Sequence, residues 1–142
     1  MSRRFARLSV RDWLLLTGVV LLLAVIRLAL WLIPFSLLRR LLEQSLLAAA
    51  FPPNLLRMPV ERLAWAVRVA SRAVPAASCL VQSLALQFLL TRSGRPSAVR
   101  IGVSKSDGGR FEAHAWVDCA GQTLLDRPED VARYTPLASW EA

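Results

Sequence analysis

Three residues of this chain, Cys79, His114 and Asp126, have the types and order that covalent chemistry on a carbonyl requires. A thiolate attacks, an imidazole takes up and returns the proton, and a carboxylate holds the imidazole in one orientation. His114 is the single histidine and Cys79 one of two cysteines. Each also has a plainer reading. A cysteine in an apolar helix usually packs, a strand histidine is more often a surface group than a base, and Asp-Arg-Pro is turn chemistry. Their conjunction in one stretch favours nucleophilic thiol catalysis.

The elements that must bring them together can be read from periodicity. FEAHAWV alternates, with Phe111, Ala113, Ala115 and Val117 on one face and Glu112, His114, Trp116 and Asp118 on the other, as in a strand. TLL resumes after Cys119-Ala120-Gly121-Gln122. A three-residue hairpin loop of Cys119, Ala120 and Gly121 is expected, since its last position is left-handed and suits glycine. That loop pairs Asp118 with Gln122 and sets His114 opposite Asp126, with Cβ atoms roughly 5 Å apart. A two-residue loop would oppose Arg127 to His114 and turn Asp126 to the other face. Glu112, diagonal to Asp126, is the second candidate to orient His114. Asp118, four residues along the strand at about 13 Å, is too far.

Cys79 belongs to a separate element. Pro75 interrupts what precedes it, Ser78 is a candidate N-cap, and LVQSLALQFLL is apolar on almost every side, so a buried helix is expected with Cys79 in its first turn. The free amides at such a helix start favour negative charge on sulfur and can bind the oxyanion of a tetrahedral intermediate. Trp116 is placed to wall a substrate site, with core packing as its alternative, and Gln82 could hydrogen-bond near the thiol.

The segment CLVQSLALQFLLTRSGRPSAVRIGV, followed by FEAHAWVD, resembles the leader-peptidase component of lasso peptide biosynthesis, a transglutaminase-like protein. The likeness rests on the Cys-Leu helix start, the Arg-Ser-Gly-Arg-Pro turn, the Ile-Gly-Val strand and Ala-His-Ala-Trp-Val. It extends upstream to WAVRVASRAVP and more loosely to the Ile-Pro-Phe near residue 34. It implies an α+β, transglutaminase-like or papain-like fold with a helical N-terminal part, a buried nucleophile helix and a small antiparallel sheet of at least three strands. It also implies that Cys79, His114 and Asp126 form a triad that removes the leader from a ribosomally made precursor peptide. The partners it implies are that leader peptide, a separate leader-binding protein and an ATP-dependent macrolactam synthetase. At 142 residues the chain is expected to depend on that leader-binding protein in trans.

A chain of this length is expected to form one domain, residues 1–142, with a helical part over 1–74 and the catalytic core over 75–142. Hydrophobic residues make up 55%, and mean hydropathy is +0.42, both high for a soluble protein. The net charge of +8 favours anionic partners, but the basic residues are scattered and carry no aromatic-rich RNA-binding signature, so nucleic acid is not expected. Residues 13–33, WLLLTGVVLLLAVIRLALWLI, are long enough to cross a bilayer, behind a capping box at Ser9 and Asp12 and a basic lead-in. Arg27 interrupts the run. The alternatives are a core helix, a partner dock or peripheral membrane contact. The resemblance implies a cytoplasmic protein, and two unspaced cysteines suit a reducing compartment.

Pro34 ends that helix, a second is expected over residues 36–50, and the Phe51-Pro52-Pro53-Asn54 break is expected to exclude helix. Helical spacing returns from Val60 to Ala73, with Leu63, Val67 and Ala70 on one side. Ala98 to Val103 alternates as a strand, Ser106-Asp107-Gly108-Gly109 reads as a hairpin loop, and the tail after Asp126 reads as loosely ordered, anchored by Tyr134 and Trp140. Cys119 is expected as an exposed loop thiol. Cys79, His114, Cys119 and Asp126 form no zinc spacing and no glycine-rich phosphate loop occurs, so neither metal nor cofactor is expected. Two rival readings are transglutaminase-type acyl transfer through the same triad and a non-catalytic, membrane-associated interaction module.

Overall fold

The apolar run near the N-terminus begins where its capping box lies. In a computed structural model, which describes residues 9–43, 51, 53–74, 78–105 and 108–141, the Asp12 amide donates to Ser9 Oγ at 3.3 Å. The Ser9 amide donates back to Asp12 Oδ2 at 3.0 Å. These bonds satisfy two of the amides that a helix start leaves open. Helix α1, Val10–Leu32, follows. One side buries Leu15, Val19, Leu22, Leu23 and Ile26, while Trp13, Leu14, Leu21, Leu28 and Trp31 on the other side are exposed. The helix is therefore a central core element, and it is also long and apolar enough to cross a membrane.

A short helix α2, Phe35–Glu43, comes next and buries Leu38. It covers the first part of the expected second helix, and Leu46 and Leu47 lie outside the described residues. The break at Pro52-Pro53 does contain helix, contrary to expectation: α3, Pro53–Leu56, starts on the second proline and buries Leu55 and Leu56. A proline is tolerated at the first helical position because the missing amide has no intrahelical acceptor there. Helix α4, Val60–Ser71, buries Leu63, Val67 and Ala70 as their spacing predicts. Its Arg62 grips Asp12 of α1 through two nitrogens, with Nε 3.0 Å from Oδ1 and a terminal nitrogen 2.6 Å from Oδ2.

Burial pushes the Asp12 carboxyl pKa up, and bonds from Arg62 and from the Ser9 amide and hydroxyl more than offset this, leaving it below 3.8. Folding thus weakens proton binding at Asp12. The stabilisation is complete above the unfolded value near 4 and is withdrawn as pH falls towards the folded value. In urea titrations the stability gap between wild type and Asp12→Asn should be widest at neutral pH and should narrow below about pH 4. A gap independent of pH would show that the carboxylate charge contributes nothing.

Helix α5, Cys79–Arg92, packs against α1, α4 and the sheet, and its residues 83–90 are all buried. Strand β1, Ser97–Lys105, runs on from the turn at Gly94, and β2, Phe111–Cys119, pairs with it antiparallel along its whole length. Strand β3, Gln122–Leu124, covers the other side of β2 over three residues only. The tail is ordered, not loose. A short helix α6, Pro128–Val131, leads to β4, Thr135–Glu141, which pairs antiparallel with β1 and gives the sheet order β3-β2-β1-β4. A proline-interrupted, weakly alternating segment gave no strand signal because pairing with β1, and not its own pattern, makes it a strand. Pro136 is compatible with β4 because it is an edge strand. The fold is α+β. Val99, Val117 and Leu124 join α5 in the core, and the opposite sheet face carries His114.

Candidate active site

Cys79 is the first residue of α5, half-buried, behind Ser78, whose hydroxyl caps the helix by accepting the Val81 amide at 3.4 Å. The thiol lies against β2: the Ala115 amide donates to Cys79 Sγ at 3.4 Å. That amide is free to do so because β3 stops at Leu124, opposite Val117, and places no residue opposite Ala115. Sγ therefore sits beside the residue that follows His114.

His114 and Asp126 meet, but by a route other than the expected register. The hairpin loop holds two residues, Ala120 and Gly121, with φ of 51° and 79°, the pair of left-handed residues of a type I′ turn. Cys119 consequently pairs with Gln122 and Asp118 with Thr123, so the three-residue loop is corrected by one position. Continued regularly, this ladder would turn Asp126 away. Leu125 prevents that. Its φ of 73° breaks the strand just after Leu124 while its side chain packs on the core. Asp126 then faces His114, with Oδ2 3.0 Å from Nε2 and both side chains half-buried. A carboxylate on Nε2 accepts its proton and leaves the lone pair on Nδ1, the tautomer a base needs.

Two aromatic rings, themselves 6.2 Å apart, also pack against the imidazole. Tyr134 stacks at 5.3 Å between ring centroids and Trp116 at 6.2 Å. Both aromatics rest over Gly102, which pairs with His114 across β1 and β2. A Cβ on Gly102 would lie 2.9 Å from the Trp116 ring, 2.9 Å from Tyr134 Cβ and 3.1 Å from the Thr135 carbonyl. Gly102→Ala should therefore cost about 1–3 kcal/mol in denaturant unfolding, as overpacking does. A variant as stable as wild type would mean that the aromatics have room to move.

Trp116, for which a substrate wall and core packing were the two readings, is only 4% exposed and stacks against the histidine ring. Gln82 is half-buried one turn along α5 from Cys79, its main-chain N–H donating to the Ser78 carbonyl at 3.0 Å. Glu112 lies away from the imidazole, exposed and 3.8 Å from Arg133. Asp118 is engaged by Arg100 and by the Thr123 hydroxyl at 3.0 Å. Cys119 is a correction. It ends β2 with 6% exposure and belongs to the core, since the shorter loop draws it into the strand. Tyr134 was missed as a neighbour of His114. It reaches the ring through the pairing of β4 with β1, which its own sequence does not signal. Beyond Trp116 on the same face, an open hollow of about 560 Å³ is lined by Ala98, Arg100, Asp118, Gly121 and Thr123.

Among the described residues no group of three or more His, Cys, Asp or Glu is placed to hold a metal ion. The arrangement holds a thiol at a helix start, against the main-chain amide that follows a histidine, and a carboxylate bonded to that histidine, groups of the kinds used in acyl transfer through a thioester. A family model for the transglutaminase-like superfamily matches residues 20–139. No curated protein and no solved structure matches the chain.

Proposed function

The chain belongs to the transglutaminase-like superfamily, and from that premise we propose that it is a cysteine peptidase that removes the leader from a ribosomally synthesised lasso precursor peptide. The superfamily includes cysteine peptidases and acyl transferases. The observation that carries the reading is the contact of Cys79 Sγ with the amide following His114, while Asp126 holds the far nitrogen of that histidine. The leader-peptidase assignment draws its support from the motif resemblance of the Cys79 helix and the Ala-His-Ala-Trp-Val strand.

In the proposed reaction His114 Nδ1 takes the Cys79 proton and the thiolate attacks the carbonyl at the leader–core junction. Amides at the start of α5 receive the oxyanion. The C–N bond breaks as His114 returns the proton to the departing amine, and a thioester to Cys79 remains. His114 then draws a proton from water, which attacks the thioester and releases the leader as a carboxylate. The protein acts in the cytoplasm with a separate leader-binding protein and a macrolactam synthetase, and uses no cofactor.

The rival within the superfamily is acyl transfer to an amine. Mass spectrometry of a leader–core precursor, incubated with this protein and the leader-binding protein, separates the two. Two products whose masses sum to the precursor plus one water support the peptidase. A product formed only when methylamine is added, heavier than the leader acid by one methylamine less one water, supports the transferase. An unchanged precursor in both incubations would remove the catalytic reading.

A further inference from the structure

Among the described residues, one uncovered stretch of strand edge leads to the nucleophile. β1 pairs with all nine residues of β2, from Lys105↔Phe111 to Ser97↔Cys119. On the other edge β3 pairs only with Val117, Asp118 and Cys119. Successive residues of a strand direct their amide and carbonyl to opposite edges. The Ala115 amide fixes the phase, because it donates to Cys79 Sγ on the edge away from β1. Ala113 and Phe111 therefore present amide and carbonyl to that same edge, and Glu112 and His114 direct theirs to β1.

This edge is accessible. Phe111 is 74% exposed, and Glu112 and Ala113 are exposed too. Among the described residues neither Phe111 nor Ala113 makes a main-chain hydrogen bond outside the sheet. An open strand edge is a ready template for another strand, which folded proteins usually block. Here it ends at the thiol, with the imidazole of His114 one residue before the bonded amide.

Building on the peptidase reading, we propose that the Phe111–Ala113 edge of β2 binds the substrate as an added strand, on one side of the bond that Cys79 attacks. The ligand class is an extended peptide segment, recognised through its main chain with little demand on side-chain identity. A segment held in regular structure has no free amides to offer, so the edge selects unfolded chain.

Two measurements test this with the precursor of the cleavage assay. N-methylation of its residues one at a time should suppress cleavage at every second position on one side of the scissile bond, about tenfold for each bond lost. Ala113→Pro removes an outward amide without touching the β1 ladder, at a backbone angle a strand accepts. It should keep its thermal midpoint, raise KM about tenfold and leave kcat within about twofold. A scan without two-residue periodicity, or a folded Ala113→Pro with wild-type KM, overturns the proposal while the peptidase reading stands. If Ala113→Pro does not fold, the scan on wild type decides. If wild type cleaves no precursor, the peptidase reading fails and the edge proposal fails with it.

Discussion

Cys79→Ala should lower precursor cleavage by about 10⁴-fold or more while the protein stays folded. The expectation is large because covalent catalysis has no substitute once the nucleophile is gone, and what survives is whatever binding and oxyanion stabilisation supply. The structure makes the substitution a clean test. Cys79 is half-buried at a helix start, and alanine keeps the backbone while giving up one weak bond from the Ala115 amide. Product formation followed by mass spectrometry gives the rate, and circular dichroism reports the fold. Iodoacetamide provides a second readout, since Cys79 should be alkylated in the native protein well before the buried Cys119. Cleavage by Cys79→Ala at more than a tenth of the wild-type rate would eliminate the mechanism.

Asp126→Ala should lower kcat by roughly 10²- to 10⁴-fold with stability changed by less than about 1 kcal/mol. The carboxylate accepts from His114 Nε2 and so keeps Nδ1 basic. Alanine leaves Nε2 without that acceptor, so neither the tautomer nor the orientation of the ring is held. The stability cost is small because both side chains are partly open to water, which screens their attraction. A drop in kcat with near-normal KM and an unchanged unfolding midpoint is the expected pattern. Equal losses of activity and stability would make Asp126 a structural anchor, and unchanged kcat would remove it from the site.

Much of the frame was legible because it rests on local chemistry. Ser9 and Asp12 mark a helix start that they themselves hydrogen-bond, and Ser78 does the same for α5. Leu63, Val67 and Ala70 recur at helical spacing and are buried together. FEAHAWV alternates and is a strand. The residues able to do chemistry were likewise identifiable by type and order, since one histidine and two cysteines leave few combinations.

What escaped the sequence depends on contacts between distant segments. A loop of two residues and a loop of three both suit glycine at Gly121, and local propensity does not choose between them. The ladder selects the two-residue loop, and the left-handed backbone of Leu125 then returns Asp126 to His114. A leucine adopts that conformation at a cost of about 1–3 kcal/mol and holds it only where surrounding packing requires it, here the core beneath its side chain. The strand at the C-terminus and the stacking of Tyr134 on His114 follow from an edge of β1 that β4 covers. The sequence by itself marked the capped helices, the alternating strands β1 and β2, and the residues whose types suit thiol chemistry. Tertiary structure decided the register, the burial of Cys119 and the meeting of His114 with Asp126, because these are set by packing between segments far apart in the chain.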